Sequence, residues 1–287
     1  MLTLKTLQNF RHLGLRPMAF STLADPKNEV FIERLTGKNE GITLINLNRP
    51  EKKNSLGRVF MNQFREAIEE VKYDAGTRVV ILNSKCDTVF CSGADLKERK
   101  TMSQQEATKF VNGLRDSFTD IERLPQPVIA SIDGFALGGG LELALACDIR
   151  VASTKAKMGL VETKWALIPG AGGSQRLYRI VGVAKAKELI YTAEVFDGKT
   201  AERLGVVNHC VEGNPLEKSL EIGRKIIPRG PIAVKLAKLA INLGSQTDIT
   251  SALSVEQQCY AQIIHTKDRI EGLSAFAEKR DPVYKGE

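Results

Sequence analysis

The chain has 287 residues, of which 43% are apolar and 26% are charged, as in ordinary globular proteins. No apolar run reaches the roughly 20 residues that a membrane-spanning helix needs. Five scattered cysteines without a metal-like spacing predict buried free thiols and argue against both a disulfide framework and a cysteine metal site.

Residues 1–25 are predicted to form a mitochondrial transit peptide. Residues 1–24 carry Lys5, Arg11 and Arg16 among leucines and contain no acidic residue. A basic, amphipathic, acid-free N-terminus is typical of such peptides and predicts the mitochondrial matrix, although a disordered tail would have a similar composition. The net charge of +7 falls to about +4 without this arm, which is too small to imply a nucleic-acid partner.

Between residues 26 and 213, strands alternate with helices. Apolar patterning predicts strands at 42–48, 78–83, 127–132, 148–152 and 206–211. Asn54 or Ser55 is predicted to cap one helix, whose apolar face includes Val59, and the capping box from Ser103 to Glu106 begins another. This alternation predicts an α/β fold with mostly parallel strands.

The region 214–287 is predicted to be entirely helical. After Asn214 and Pro215, apolar residues recur at helical spacing over 215–227, 231–244, 248–264 and 268–278. A helical region without a sheet of its own has apolar faces that must pack on its own core or on another subunit.

Glu142 is the first candidate catalytic residue. It follows Gly138, Gly139 and Gly140 in the predicted first turn of a helix made of small and apolar residues. Glycines at a helix start let a ligand approach the backbone, and the first N–H groups of a helix have no intrahelical acceptor. A carboxylate beside such donors can transfer protons next to a developing negative charge.

Glu162 is the second candidate, and it precedes the glycine-rich segment Ile168–Gly173. This segment lacks the Lys-Ser/Thr pair of a phosphate-binding P-loop, so it is interpreted as a wall of the site near Glu162. Trp165 either lines the same pocket or packs in the core. Only three histidines occur, one of them in the N-terminal arm, and there is no G-x-S-x-G motif, so a histidine metal site or a Ser-His-Asp triad is hard to build.

Four segments resemble the enoyl-CoA hydratase/isomerase (crotonase) superfamily: Cys91–Lys97, Asp133–Glu142, Glu162 together with Ile168–Gly173, and Ala275–Arg280. They occur in the family's order. The resemblance implies a spiral of ββα turns over 26–213 with the active site. It also implies a helical C-terminal region over 214–287 that builds trimers, commonly as a dimer of trimers.

The resemblance also implies roles for individual residues. The backbone N–H groups of Ala94 and Gly139 would form an oxyanion hole for the thioester oxygen of an acyl-CoA. Hydratases of the family carry both glutamates, whereas many isomerases lack the first, so Glu142 and Glu162 together favour hydration. Glu142 would activate a water molecule, and Glu162 would protonate C2.

Further implied contacts concern coenzyme A, which is part of the substrate, so no separate cofactor and no metal are expected. The family's adenine-side loop corresponds to Asp95, Leu96 and Lys97, and Gly170 corresponds to a backbone contact near the water. Phe276 and Lys279 match positions that reach a neighbouring subunit's CoA in relatives.

Within the superfamily, Met158–Lys164, Cys259–Gln262 and Tyr284–Glu287 resemble the methylglutaconyl-CoA hydratase subgroup. Two alternatives remain: a double-bond isomerase that uses mainly Glu162, and an RNA-binding protein with vestigial catalysis. RNA-binding relatives place lysines four residues apart on one helix, where this chain has Arg58, Asn62 and Glu66. This broken basic stripe predicts that the protein does not bind RNA.

Overall fold

The structure is a computed structural model that describes residues 25–287. The predicted transit peptide therefore lies outside the described residues, apart from Asp25. Within the described range, no helix combines the length and the apolar character needed to cross a membrane.

Ten strands in the described chain form two sheets. They are Val30–Arg34 (β1), Ile42–Leu47 (β2), Val79–Ser84 (β3), Val89–Cys91 (β4), Val128–Ile132 (β5), Phe135–Leu137 (β6), Ile149–Ser153 (β7), Lys157–Gly159 (β8), Phe196–Asp197 (β9) and His209–Val211 (β10). The larger sheet has the order β1-β2-β3-β5-β7-β10, and the smaller has the order β4-β6-β8-β9. Neighbours pair in parallel except at β1–β2 and β8–β9, so the prediction of mostly parallel pairing is confirmed.

Eleven α-helices accompany these strands in residues 25–287. They are Arg58–Tyr73 (α1), Leu96–Arg99 (α2), Gln104–Arg123 (α3), Gly139–Leu145 (α4), Gly173–Val181 (α5), Val183–Tyr191 (α6), Gly198–Arg203 (α7), Pro215–Ile226 (α8), Pro231–Gly244 (α9), Ile249–Ile263 (α10) and Lys267–Glu278 (α11). The capping box predicted at α3 is present, since Ser103 and Glu106 exchange side-chain and backbone hydrogen bonds.

The chain winds as a spiral. Each of β3, β5 and β7 in the larger sheet is followed by a strand of the smaller sheet and then by a helix. This repeated strand–strand–helix turn confirms the predicted spiral of ββα turns. Because every turn passes through the smaller sheet before its helix, the loops after β4, β6 and β8 follow neighbouring parallel strands.

The larger sheet is buried on both faces. Along β2, Ile45 and Leu47 belong to the main core, whereas Ile42 and Leu44 belong to a second cluster that includes Leu220 of α8. Parallel sheets covered on both sides are typical of α/β folds, and burial of apolar area on both faces stabilises the scaffold that carries the loops.

The predicted start of α1 is wrong. Gly57 is the N-cap, and no side chain caps the helix. Asn54 instead adopts a left-handed conformation (φ 52°), and its side chain is buried. The side-chain oxygen accepts a hydrogen bond from the amide of Arg49, and the side-chain nitrogen donates to the carbonyl of Phe90 and to the hydroxyl of Ser84. These long-range partners outweigh the local capping preference. Val59 is also exposed and does not lie on the apolar face of α1.

The four predicted C-terminal helices are present as α8 to α11. Lys238 of α9 donates from Nζ to Asp148 Oδ2 over 2.7 Å and to the carbonyl of Gln126 over 3.0 Å, which ties this helix to the spiral. The same helices expose large apolar side chains to solvent, namely Ile241, Leu243, Ile249, Leu253, Ile270, Leu273 and Phe276.

Candidate active site

A cleft with a volume of about 370 Å³ lies where the loops after β4, β6 and β8 meet α3. It brings together six of the residues singled out in the sequence, namely Ala94, Leu96, Gly139, Glu142, Glu162 and Gly170. The spiral explains this convergence, because parallel strands of one sheet direct their following loops to the same edge.

Glu142 lies in the first turn of α4, as predicted, and its residue is only 3% exposed. Its Oε1 accepts hydrogen bonds from the amides of Ala171 and Gly173, each over 2.8 Å. Burial raises the pKa of Glu142, while the two amides and the charges of Arg176 and Arg115 oppose that rise. The carboxylate is therefore buried but well supplied with donors that favour its ionised form.

Glu162 faces the same cleft from a short 3₁₀ helix, Glu162–Trp165. Its Oε2 is buried and has no hydrogen-bond partner among the described residues. Burial, assisted by the negative charge of Glu142, raises the pKa of Glu162 to about 7. Since two nearby carboxyl groups resist ionising together, Glu162 is the one that retains a proton near neutral pH.

The backbone between these carboxyl groups requires glycine. Gly138 is the N-cap of α4 and has a φ of 52°, in the left-handed region. A Cβ at this position would lie 3.2 Å from Oε1 of Glu162. The absence of a side chain therefore allows the turn and leaves room for the Glu162 carboxyl group.

Two backbone amides of the cleft lie close together. A Cβ on Gly93 would be 3.2 Å from the nitrogen of Gly139, and a Cβ on Gly139 would be 3.7 Å from the nitrogen of Ala94. Neither amide donates to another group within residues 25–287. Ala94 and Gly139 thus present two free N–H donors at the N-terminal end of α4, where the helix dipole favours negative charge.

The remaining wall of the cleft is mostly apolar. It consists of Val111 and Leu114 from α3 and of Trp165, Leu167 and Ile168 from the segment after Glu162. Trp165 therefore lines the cleft and is 59% exposed rather than part of the core. Apolar walls around a few polar groups are usual for small-molecule sites.

Asp95 and Lys97, predicted to contact CoA, do not line the cleft, although Leu96 between them does. The carboxylate of Asp95 caps α2 by accepting from the amide of Glu98 over 3.1 Å, and it lies 3.4 Å from Nη1 of Arg49. This side chain is buried and engaged within the protein. Any contact of this loop with CoA remains a prediction.

Phe276 and Lys279 lie apart from the cleft in the described chain. Phe276 is on α11 and is 86% exposed, and Lys279 follows that helix with a φ of 55°. Their assigned contact is with a neighbouring subunit's ligand, which a single chain cannot form, so it remains a prediction.

Two arginines of the cleft were missed in the sequence. Arg115 on α3 donates from Nε and Nη2 to the carbonyl of Gly170 over 3.1 and 2.8 Å, and Arg99 ends α2. Arg115 lies between Leu114 and Asp116 in a helix, where an exposed cation is the ordinary interpretation. Only the fold brings the loop 55 residues later against it.

The arrangement can transfer protons beside a stabilised oxyanion. One carboxyl group accepts two backbone hydrogen bonds that favour its ionised form, the other retains a proton, and two free amides can stabilise a developing negative charge. These are the parts needed to add water to a double bond conjugated with a carbonyl group, or to move that bond.

Comparisons with known proteins agree with this geometry. The sequence pattern of the enoyl-CoA hydratase/isomerase family matches residues 37–287. The chain is 49% identical over 273 residues to a Homo sapiens protein named methylglutaconyl-CoA hydratase, mitochondrial, covering 93% of this chain and 80% of that protein. It is 50% identical over 284 residues to enoyl-CoA hydratase domain-containing protein 2, mitochondrial, of Mus musculus, covering 97% and 95%.

A solved structure is similar as well. The crystal structure of an enoyl-CoA hydratase from Bacillus anthracis superimposes with a TM-score of 0.87 at 46% identity, covering 91% of this chain and 100% of that one. The chain therefore belongs to the enoyl-CoA hydratase/isomerase family.

Proposed function

We propose that the protein adds water across the C2–C3 double bond of a 2-enoyl-CoA thioester to give a 3-hydroxyacyl-CoA. The observation that carries this proposal is the pair of carboxyl groups in one cleft, Glu142 held by two amides and Glu162 with an unpaired buried oxygen. Isomerisation needs one proton-transferring group, whereas hydration uses both.

The amides of Ala94 and Gly139 would bind the thioester oxygen. When water attacks C3, electron density moves to this oxygen, which becomes an enolate. Two preorganised donors stabilise that charge, and losing one such donor typically costs on the order of 2.7–4 kcal/mol of barrier.

Glu142 and Glu162 would divide the proton transfers. Ionised Glu142 accepts a proton from the water whose oxygen bonds to C3, and protonated Glu162 donates its proton to C2. The pKa of about 7 for Glu162 suits a group that must hold a proton and release it near neutral pH. Passage of the proton from Glu142 back to Glu162 restores the starting state.

The function stated so far leaves open which acyl group the substrate carries. The relative named methylglutaconyl-CoA hydratase supports 3-methylglutaconyl-CoA as a candidate substrate of this chain. A short branched acyl group would contact Val111, Leu114 and Ile168, which line the cleft. Leucine breakdown and fatty-acid breakdown are the two settings that follow from the choice of acyl group.

We also infer that the protein assembles as a trimer or a dimer of trimers through region 214–287. The support is the row of exposed large apolar residues on α9, α10 and α11, which water would otherwise cover at a cost in free energy. Light scattering of the purified protein gives the mass of the assembly directly, and a monomer at micromolar concentration would contradict the inference.

A mitochondrial location is proposed from two independent observations. The N-terminal arm is basic and free of acids, and several relatives carry the word mitochondrial in their names. A fluorescent protein fused to residues 1–25 should enter mitochondria, and the same fusion with Lys5, Arg11 and Arg16 changed to Gln should stay outside.

The experiment that tests hydration follows the loss of the conjugated-thioester absorbance with crotonyl-CoA and 3-methylglutaconyl-CoA. The wild type should hydrate at least one of them, and Glu142→Gln and Glu162→Gln should each lower kcat by a factor of 100 or more with little loss of acyl-CoA binding. Near-full turnover in either variant would contradict the mechanism. Conversion of a 3-enoyl to a 2-enoyl thioester without hydration would instead favour the isomerase.

A further inference from the structure

Arg176 on α5 joins the loop that holds Glu142 to α3. Its Nε and Nη2 donate to Oε2 of Glu122 over 3.1 and 2.7 Å, and Nη2 also donates to Oγ1 of Thr119 over 3.5 Å. Its Nη1 donates to the carbonyl of Ala171 over 3.2 Å. The side chain of Arg176 is only 15% exposed and does not line the cleft. Arg176 therefore lies behind the wall of the site.

The backbone that Arg176 binds is the backbone that holds Glu142. Ala171 and Gly173 each donate an amide to Oε1 of Glu142 over 2.8 Å. Besides the bond from its side chain to the carbonyl of Ala171, Arg176 donates its own amide to the carbonyl of Gly172 over 2.8 Å. One arginine thus fixes the short segment that supplies both donors to the base.

A cation at this place in α5 is not explained by the helix itself. Arg176 lies four residues after the N-cap Gly172, near the end of the helix where the dipole favours acidic side chains. Its counter-ion Glu122 is on α3, 54 residues earlier in the chain. Largely buried ion pairs pay a desolvation cost that apolar contacts would avoid, so stability alone does not account for this pair.

The charge of Arg176 acts on Glu142. Burial raises the pKa of Glu142, the amides of Gly173 and Ala171 lower it, and the positive charges of Arg176 and Arg115 lower it further. Arg115 is exposed, so water and salt screen its charge more than that of Arg176.

The other ionisable groups around Glu142 were compared with Arg176. Glu162 faces Glu142 across the cleft, and the negative charge of Glu142 contributes to its raised pKa. The buried thiols of Cys91 and Cys147, next to α4, have their pKa raised to about 12 and stay neutral. Arg150 binds carbonyls at the C-terminal end of α4, away from Glu142 in its first turn. Arg176 is therefore the buried, ion-paired cation on the side of the donor loop.

We propose that Arg176 is a positioning residue for hydration, which together with Glu122 fixes the loop that holds Glu142 and supplies a positive charge that keeps this base ionised. This inference rests on the proposed hydratase function and specifies how its base is prepared. Arg176 takes no part in the proton transfers in this account.

Two substitutions change the charge of this pair in opposite directions. The fall of kcat/KM toward low pH, its acid limb, reports the ionisation of Glu142, because only the ionised base accepts a proton from water. Arg176→Gln removes the cation and should move the acid limb on crotonyl-CoA to higher pH by about half a unit or more. Glu122→Gln leaves the cation without its counter-ion and should move the limb to lower pH.

Arg176→Lys separates charge from geometry. An ammonium group keeps the positive charge but cannot bind Glu122 and Ala171 as a planar fork. The variant should therefore keep the acid limb of the wild type while kcat falls. An acid limb that moves as far in Arg176→Lys as in Arg176→Gln would overturn the role of the charge.

Arg179→Gln is the matched control. Arg179 is an exposed arginine of the same helix outside the cleft, and its loss changes the net charge equally. It should leave both kcat and the acid limb unchanged. An unmoved acid limb in Arg176→Gln would overturn the proposal even if kcat fell, because a merely structural arginine would give that result. A shift to higher pH in Glu122→Gln as large as in Arg176→Gln would overturn it as well.

A measurement without turnover separates this inference from the hydratase proposal. Infrared difference spectra between acidic and alkaline pH show the carbonyl band of a protonated carboxyl group, and the band that is missing in Glu142→Gln belongs to Glu142. The pH at which this band is half developed should rise in Arg176→Gln and stay unchanged in Arg179→Gln. Equal midpoints in Arg176→Gln and the wild type would overturn the inference, whereas a wild type that hydrates no enoyl thioester would overturn the proposed function alone.

Discussion

The amide of Gly173 donates to Oε1 of Glu142 over 2.8 Å, while a Cβ on Gly173 would lie 2.8 Å from Cγ and 3.0 Å from Oε1 of the same glutamate. The residue that supplies a donor to the carboxylate is therefore one that cannot carry a side chain. Gly173 also begins α5, so the donor comes from a helix N-terminus, where a negative charge is stabilised.

Gly173→Ala should displace the Glu142 carboxylate with limited damage to the fold. The added methyl group overpacks a filled site, which typically costs about 1–3 kcal/mol of stability. We expect hydration to fall at least tenfold, measured as kcat on crotonyl-CoA, with a lower Tm. Gly113→Ala in α3 is the control, since its Cβ would meet only the Arg65 side chain of α1, at an ordinary contact distance of 3.5 Å. Unchanged kcat in Gly173→Ala would contradict this account of the site.

The rate of hydration should fall as the pH rises above neutrality. Glu162 must be protonated to donate to C2, and its pKa is about 7. Above that value kcat/KM should fall by about tenfold for each pH unit. The pH profile of kcat/KM between pH 5 and 9 measures this directly, and a rate that is flat from pH 6 to 9 would exclude Glu162 as the acid.

Glu162→Gln should stabilise the folded protein at high pH. The pKa of Glu162 is raised from 4.5 to about 7, so its ionisation above neutrality opposes folding, whereas below about pH 4.5 the group is neutral in both states. The stability associated with the protonated carboxyl group is thus lost as the pH rises through 7. We expect the variant to gain about 1–3 kcal/mol over the wild type at pH 8 and about zero at pH 4.5, by urea unfolding at fixed protein concentration. A lower stability of the variant at pH 8 would contradict the pKa shift.

Asn54→Ala should destabilise the protein strongly. The change removes hydrogen bonds to Arg49, Ser84 and Phe90 in a buried place and puts alanine at a positive φ. Buried polar groups left without partners and this strain together predict a loss of about 2–4 kcal/mol. Asn62→Ala, at an exposed position of α1, should change stability by less than about 0.5 kcal/mol. Similar losses in the two variants by urea unfolding would show that the Asn54 network contributes little.

The sequence predicts the long elements well and the short strands poorly. The capping box at Ser103 and the four C-terminal helices are determined by local residues and helical periodicity, so they are recognisable without the fold. Strands such as Phe135–Leu137 and Lys157–Gly159 have three residues each. That is too short for a pattern, and their existence depends on pairing with each other across the smaller sheet.

The candidate site could be predicted only where its residues belong to compact motifs. Glu142 and the glycines before it are contiguous, so the motif is visible in the sequence. The role of Arg115 is not visible in the sequence, because its hydrogen-bond partner is a carbonyl 55 residues away. Asn54 shows the opposite failure, since a local capping preference is overridden by partners up to 36 residues away that only the tertiary structure provides.

The most direct test of the two-carboxylate mechanism is mass spectrometry of the product formed from crotonyl-CoA in ¹⁸O-labelled heavy water. The account predicts one ¹⁸O on C3 and one deuterium on C2 in the wild-type product, and loss of both labels together in Glu142→Gln and in Glu162→Gln. Deuterium uptake without ¹⁸O in the wild type, or full labelling in either variant, would contradict it.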